Sequence, residues 1–386
     1  MIDIKYKRIY DEFINKYEEI HVNPWHQISK DELETLYNNL IHSMVIDNEY
    51  NFKYFMDYII KRLSGLEDAH TKYQFVDPIP FNFRKIDGDI LVNYPSNLKG
   101  YRVVSINGIP ISQIINEMED IITYGTAGKR DYEIEQSLFN RATMFGLPSF
   151  RNKNELFYEL LDSNGNVLQK KITKYEKFAN LFDYDKYMYG NNAEYRVVNN
   201  CLIYNHSSVQ NKFKDIIEEA IKKLKTEDLS NVDTIIIDLR GNWGGNSALN
   251  TILMDYLKTQ GDKKLICLTD YRVFSGGRYA LRDLINLGAI TIGEEISTPI
   301  NCYGNSNWCN IDNHYFSISE CYFHPFMGIS ARSKKEFIEK ITDDIRKPYI
   351  YHPDIEVKET KEDYLNNNDT ILNYALEYSK NKKLRS

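Results

Sequence analysis

The stretch Thr234-Ile-Ile-Ile-Asp238-Leu-Arg240-Gly241-Asn242-Trp-Gly244-Gly245-Asn246 sets the fold class of this 386-residue chain. Its short apolar run is typical of a buried strand, and the glycines behind it let backbone N–H groups approach a ligand closely. Residues 247–257 follow with the apolar spacing of a helix. The stretch therefore predicts a strand that passes through a glycine-rich loop into a helix.

The same alternation continues on both sides of this stretch. Further strands are predicted at residues 202–204, 265–268 and 289–292, and further helices at residues 213–224 and 276–285. Strands that alternate with helices favour a mostly parallel sheet, with functional residues at the carboxyl ends of its strands. We therefore expect an α/β core over residues 186–386.

The first part of the chain has a different pattern. In residues 1–75, apolar side chains recur at helical spacing in three segments, which predicts a small helical bundle. In residues 76–185, short alternating runs are separated by turn residues, and Asn107-Gly108 closes one of them. This middle region is expected to be rich in β structure, so the chain is α+β overall.

Composition and hydropathy disfavour several kinds of partner and location for this chain. Lys and Arg number 48 against 55 Asp and Glu, a net charge of −7 without a basic run, which disfavours nucleic-acid and anionic-membrane partners. No apolar run approaches the ~18 residues of a membrane span, and the N-terminus does not resemble a signal peptide, so a cytoplasmic protein is expected. The five cysteines lack a CxxC pair and are expected to be buried reduced thiols.

A second strand-to-helix loop carries a candidate nucleophile. Ser275 lies where a strand gives way to a helix, and Gly276 and Gly277 follow it. A hydroxyl at this place either caps the helix or attacks a carbonyl while the next amide faces the oxyanion, and the local pattern leaves both interpretations open. The loop at 238–246 lacks the Lys-Ser/Thr of a P-loop and the G-x-G-x-x-G spacing, so nucleotide binding is disfavoured.

A nucleophilic serine needs a base, and two histidines are candidates. His70 lies among acids at the entry to the β-rich region, and His206 ends a sheet strand; spacing alone does not choose between them. His21 and His26, beside the N-terminal helices, are expected to be solvated or capping. No HExxH motif or Cys/His cluster exists, so neither a metal nor another cofactor is predicted.

Several motifs together resemble the carboxyl-terminal processing peptidase and tricorn-core family of serine proteases. They are Asp238-Leu-Arg240 through Gly244-Gly245, Phe274-Ser275-Gly276, Leu66-Glu-Asp68-Ala-His70-Thr71, Asn301-Cys-Tyr303-Gly304 and His352-Pro353-Asp354-Ile355. The third motif resembles the D-x-H-T element of the branch with a histidine base. The resemblance implies a core of the Clp-crotonase type and a PDZ-like piece in the middle region.

The resemblance also assigns roles to residues. It implies a serine endopeptidase or tail-specific peptidase, acting on peptides or unfolded protein ends through an acyl-enzyme on Ser275 with His70 as general base. The amides of Gly276 and of Gly244 or Gly245 would hold the oxyanion. Asn301 and Tyr303 would line the substrate cleft, whereas Asp238 and Arg240 are expected to anchor the glycine loop.

The chain departs from the family in three places. Residues 293–304 contain no lysine for a Ser-Lys dyad, Ile296-Ser297-Thr298 replaces the usual Thr-Gly-Gly, and Lys347 occupies the place of a glutamate. The group that orients the base is therefore open. The alternative is a non-catalytic binding module or pseudoenzyme of the same fold, holding an apolar ligand or a peptide, as the similar retinoid-binding repeats do. The oligomeric state is also open.

Overall fold

The computed structural model describes residues 1–174 and 192–380. The chain divides into two compact units, each of which is built from several segments. The first unit comprises Met1–Leu181, Asn301–His324 and Gly328–Pro348, and the second comprises Phe182–Ile300, Pro325–Met327 and Tyr349–Ser386.

The α-helices and β-strands of the described residues are numbered in chain order. The helices are α1 Ile4–Ile20, α2 Lys30–Ser43, α3 Glu49–Ser64, α4 Ile111–Glu119, α5 Ala127–Phe139, α6 Arg141–Gly146, α7 Lys214–Leu224, α8 Asn250–Lys258, α9 Gly276–Asn286, α10 Lys334–Lys340, α11 Asp343–Arg346, α12 Lys361–Leu365 and α13 Thr370–Lys380. The strands are β1 Lys72–Gln74, β2 Asn82–Ile86, β3 Asp89–Tyr94, β4 Arg102–Ile106, β5 Ile109–Pro110, β6 Glu155–Leu161, β7 Val167–Thr173, β8 Tyr195–Val198, β9 Cys201–Asn205, β10 Thr234–Asp238, β11 Lys264–Thr269, β12 Ile290–Gly293, β13 Cys302–Ile311, β14 His314–His324, β15 Ile329–Ala331 and β16 Ile355–Glu356.

The three predicted N-terminal helices are confirmed. α1 buries one apolar stripe that includes Phe13 and Tyr17, α2 begins with a capping box of Ser29 and Glu32, and Gly65 is the C-cap of α3. Each helix buries its apolar face in the core of the first unit, because a stripe at helical spacing must be covered to be stable.

The middle of the chain contains more helix than its sequence predicts. A sheet in the order β2-β3-β4-β6-β7 forms there, and the turn at Asn107-Gly108 joins β4 to β5. The helices α5 and α6 lie in the same region, so the prediction of mainly β structure over residues 76–185 is incomplete. α5 buries Lys129 and Glu135, both 1% exposed, among its apolar residues, and these charges obscure its periodicity.

A second sheet of the first unit contains strands from the C-terminal half of the chain. Its order is β1-β14-β13, and Lys72 of β1 pairs with Ser317 of β14. Residues 301–324 and 328–348 therefore separate from the core that was expected over residues 186–386. Local periodicity carries no information on pairing between strands so far apart in sequence, so this part of the predicted division differs from the structure.

The second unit is the predicted α/β core. Its sheet has the order β16-β12-β11-β10-β9-β8, with parallel pairing from β16 to β9 and an antiparallel edge strand β8. Ile235 and Ile237 of β10 pack into one cluster with residues of α7, α8 and α9, whereas Ile236 packs on the opposite face with α13. The strand is buried on both faces, as expected for a parallel sheet.

All five cysteines are buried and unbonded, as predicted: Cys201, Cys267, Cys302, Cys309 and Cys321. Within the described part of the chain, every helix is too short or too polar to cross a lipid bilayer.

Candidate active site

Ser275 has an unusual backbone conformation. It precedes α9 with φ of 49° and ψ of −117°, and its side chain does not cap the helix. A positive φ is strained for a residue with a Cβ, and such strain persists only where the surrounding structure imposes it. The capping interpretation is therefore wrong. Ser275 lies at a sharp turn, and its side chain makes no capping hydrogen bond with the start of α9.

The glycine loop packs directly against this turn. A Cβ on Gly244 would lie 2.3 Å from Gly276 N and 2.8 Å from Ser275 Cβ, and the φ of Gly244 is 89°. A Cβ on Gly245, whose φ is 124°, would lie 2.6 Å from Val209 O. Only glycine fits at either place, and the structure thus brings Ser275, Gly276, Gly244 and Gly245 together within the second unit.

The N–H groups of these glycines are not equivalent. Gly244 is buried and donates its N–H to Asn242 Oδ1 at 2.9 Å. Gly245 is exposed, and among the described residues neither its N–H nor that of Gly276 has an acceptor. Between Gly244 and Gly245, the N–H of Gly245 is therefore the better candidate to donate to an oxyanion. The N–H of Gly244 would first have to break its hydrogen bond to Asn242.

A half-buried ion-pair network contacts the start of the loop. The Arg240 guanidinium donates to Asp238 Oδ2 and Asp369 Oδ1, each at 2.7 Å. Burial alone lowers the pKa of Arg240, but the two carboxylates outweigh burial and raise it. Asp270 Oδ1 accepts the Gly241 N–H at 3.0 Å. These contacts give Asp238 and Arg240 the anchoring role that the sequence indicates, and Asp270 adds an anchor that sequence reasoning missed.

His70 belongs to the first unit, where a backbone carbonyl fixes its tautomer. The His70 Nδ1 lies 3.1 Å from Tyr303 O. A carbonyl oxygen only accepts, so Nδ1 carries the proton and the neutral ring keeps its lone pair on Nε2. The orienting group that the sequence left open is thus the Tyr303 carbonyl.

The buried carboxylate of Asp68 holds the segment around His70. Asp68 Oδ1 accepts from the backbone N–H groups of His70 and Thr71, each at 3.0 Å, and the hydroxyls of Thr71 and Ser319 also donate to this carboxylate. His21 Nε2 lies 3.3 Å from Asp68 Oδ2. Burial alone raises the pKa of Asp68, but His21 and the hydroxyl donors outweigh burial and hold it well below its usual range. The carboxylate therefore stays ionised.

The expectation that His21 is solvated or capping is wrong. His21 is fully buried, and its Nδ1 accepts the Asn23 N–H at 3.1 Å, which leaves the proton on Nε2 facing Asp68. His21 and Ser319 are far from residues 66–71 in sequence. No local motif marks them as partners of that segment.

Asn301 and Tyr303 are buried, at 1% and 0% exposure. Asn301 Nδ2 donates to Ile345 O at 2.7 Å and to Lys347 O at 2.9 Å. The Tyr303 hydroxyl accepts from Asn23 at 3.1 Å. Both side chains are thus engaged inside the first unit, and the substrate-binding role of these residues stays a prediction that could involve only their backbone groups.

His206, the rival base, is also buried. Its Nε2 lies 2.9 Å from Asn250 Oδ1, and burial lowers its pKa. A fully buried ring with its Nε2 engaged is unsuited to take a proton from a hydroxyl on substrate attack. His70 is therefore the better candidate for the base.

Comparison with known proteins identifies the fold. No protein-family model and no curated protein matches the sequence. A CPAF mutant has a TM-score of 0.66 at 11% identity and covers 100% of both chains, and mature CPAF complexed with lactacystin has 0.64 at 10% identity with 98% of both chains covered. The photosystem II D1 C-terminal processing protease has 0.46 at 10% identity and covers 92% of this chain and 94% of its own. The match to CPAF over the full length shows that this chain has the same mixed helix and sheet fold.

Proposed function

We propose that the chain is a serine peptidase that hydrolyses peptides or unfolded protein ends through an acyl-enzyme on Ser275, with His70 as general base. The observation that carries the proposal is the strained, non-capping Ser275 at the start of α9, beside two glycine amides without an acceptor among the described residues. The fold shared with CPAF supports a peptidase.

The proposed reaction has two halves. In the first, Ser275 Oγ bonds to the carbonyl carbon while His70 Nε2 takes its proton; the C–N bond then breaks, and the His70 proton passes to the leaving amine. In the second, a water attacks the acyl carbon, His70 takes its proton, and Ser275 Oγ leaves with that proton restored. His70 Nε2 must reach hydrogen-bonding distance of Ser275 Oγ for either half to occur.

The remaining residues stabilise charge or fix geometry. The N–H groups of Gly245 and Gly276 would donate to the oxyanion, and one such donor is worth ~2.7–4 kcal/mol in the transition state. The Tyr303 carbonyl keeps the His70 proton on Nδ1, which leaves Nε2 as the basic nitrogen of the neutral ring. Asp68 holds the His70 backbone in place without touching the reacting atoms.

A fluorophosphonate probe tests the proposal, because it phosphonylates an activated serine. We expect covalent labelling of the wild-type chain, no labelling of Ser275→Ala, and strong loss of labelling in His70→Gln. The matched control is Ser247→Ala, in the short 3-10 helix Ser247–Leu249 that precedes α8, and it should label normally. Lactacystin, found in complex with CPAF, is a second probe that should protect Ser275 from labelling.

Two results would contradict the proposal. A wild-type chain that is never labelled, and that leaves fluorescent casein intact, would favour the non-catalytic binding module instead. Labelling that persists in Ser275→Ala would place the nucleophile elsewhere.

A further inference from the structure

One buried histidine connects the two loops that carry the proposed oxyanion donors. His206 follows β9 and is 0% exposed. Its carbonyl accepts from Asn242 Nδ2 at 2.6 Å, and its Nε2 lies 2.9 Å from Asn250 Oδ1. We propose that His206 is a positioning residue that, through Asn242 and Asn250, sets the amides of Gly245 and Gly276 relative to one another. This inference rests on the proposed function and adds residues that act without touching substrate.

The connection to Ser275's loop runs through Asn250. Asn250 Nδ2 donates to Gly276 O at 3.2 Å. Because a carbonyl only accepts, this contact orients the Asn250 amide and leaves its Oδ1 facing His206. His206 Nε2 must then carry the proton and donate it. The ring is therefore neutral with a defined tautomer, consistent with its buried position, which lowers its pKa.

The connection to the glycine loop runs through Asn242. Asn242 Oδ1 accepts the Gly244 N–H at 2.9 Å, and Asn242 O accepts the Phe274 N–H at 2.8 Å. A Cβ on Gly277 would lie 2.7 Å from Asn242 O, so α9 also packs closely on this residue. Asn242 thus joins both loops to each other and to the His206 carbonyl.

Each of these hydrogen bonds joins a neutral donor to a neutral acceptor. His206, Asn242 and Asn250 are all at most 1% exposed. A displacement of about 1 Å in a catalytic group can cost ~10²-fold in rate. Breaking the His206–Asn250 link is therefore expected to reduce the acylation rate much more than substrate affinity. A residue that merely filled space would change stability and leave the rate of the folded enzyme unchanged.

The decisive pair of variants is His206→Gln and His206→Asn. The glutamine amide nitrogen occupies nearly the place of Nε2 and can still donate to Asn250, whereas the shorter asparagine cannot reach it. We expect His206→Gln to keep the rate constant of fluorophosphonate labelling within a few-fold of wild type, and His206→Asn to lose ~10- to 100-fold. With fluorescent casein, the loss should fall on kcat and leave KM unchanged.

A second pair checks the Asn250 link. Asn250→Asp keeps an acceptor for His206 but loses the donor to Gly276 O, so it should lose rate as His206→Asn does. The matched control is Asn51→Asp in the first unit, a buried asparagine that donates to Val45 O at 2.9 Å. This control should lower stability, measured by urea unfolding, while the folded fraction labels at the wild-type rate.

A readout independent of activity separates this inference from the proposed function. In ¹⁵N-glycine-labelled protein, the amide resonances of Gly245 and Gly276 should shift in His206→Asn and Asn250→Asp and stay in place in His206→Gln. These shifts in a chain that is never labelled would overturn the peptidase while upholding the positioning role. Unshifted resonances, or a wild-type labelling rate in His206→Asn, would overturn the positioning role while leaving the peptidase intact.

Discussion

Ser275 and His70, the proposed nucleophile and base, are each held in place by different physics. Around Ser275, the groups nearest the turn are neutral and closely packed: glycines with no room for a Cβ, and the buried amides of Asn242 and Asn250. The charged anchors of the glycine loop, Asp238, Arg240 and Asp270, act at the start of that loop. Around His70, the positioning group is an ionised carboxylate, Asp68, buried with His21 at 3.3 Å. Steric fit thus dominates around Ser275, and electrostatics dominates around His70.

This difference predicts that the Ser275 turn and the His70 segment are sensitive to different kinds of substitution. A buried charge needs its partners, because an isolated ion in a low-dielectric interior is costly, so the His70 side should be sensitive to charge removal and to pH. At its closest contacts with the Ser275 turn, the glycine loop tolerates no added atoms. Substitutions at each place should separate these two behaviours.

The largest effect is expected from Asp68→Ala. This change removes the buried acceptor of two backbone N–H groups, two hydroxyls and the His21 ring, and each donor left unpaired costs ~1–3 kcal/mol. Urea unfolding should show the loss, and the folded fraction should also lose fluorophosphonate labelling. Ser319→Ala removes only one donor to the same carboxylate and should cost ~1–3 kcal/mol. Equal costs for the two variants would contradict an electrostatic origin.

Gly244→Ala should be next. Its Cβ would lie 2.3 Å from Gly276 N, so the loop must move away from the Ser275 turn. We expect a ~10²- to 10³-fold loss in kcat, as for a lost oxyanion donor. Gly241→Ala is the matched control, because its φ of 76° is also positive but its Cβ would meet only Arg272 Cζ, at 4.0 Å. If both variants lost the same rate, backbone strain and not close approach would be the cause.

The pH dependence of His26 gives the third prediction. Burial, and then repulsion by His21, lowers the pKa of His26 from 6.5 to about 4. Between these values the unfolded chain binds a proton that the folded chain does not, so the stability of the wild type falls as the pH decreases through this window. His26→Gln removes this term and should lose less stability between pH 7 and pH 4, by roughly 3 kcal/mol at most. Denaturant unfolding at both pH values measures it.

A His26→Gln profile that coincides with wild type would show that the acid sensitivity of the first unit lies elsewhere.

The smallest effect is expected from Gly304→Ala. A Cβ there would lie 3.2 Å from His70 Cε1, a contact that a ring displacement of a few tenths of an ångström relieves. We expect a loss of a few-fold in labelling rate with unchanged stability. Ser306→Ala, two residues further along β13, should label normally. A wild-type rate in Gly304→Ala would show that the His70 ring has more room than the structure gives it.

Much of the fold follows from the sequence because its elements are locally periodic. The strand at residues 234–238 and the helices on either side lie where apolar spacing places them, and the three N-terminal helices agree within a few residues. α5 was missed because charged residues such as Lys129 and Glu135 are buried within it. Periodicity assumes that buried positions are apolar, and it fails where they are not.

The candidate site was only partly predictable. Glycines at 244, 245 and 276, and Ser275 beside them, are marked by composition and order along the chain. His21, Ser319 and Asn250 carry no such mark, because each acts through a partner distant in sequence. Asn301 and Tyr303 were predicted to line a cleft, yet their side chains are buried.

By itself, the sequence determined the α/β class, the order of strands and helices, and the two loops that carry Ser275 and the glycines, because these depend on periodicity and on backbone freedom within a few residues. Only the tertiary structure decided which N–H of the glycine loop lacks an acceptor among the described residues. It also decided that a backbone carbonyl orients His70, that Asp68 holds the segment around His70, and that His206 contacts both Asn242 and Asn250. These are contacts between residues tens to hundreds of positions apart, and they exist only once the chain has folded.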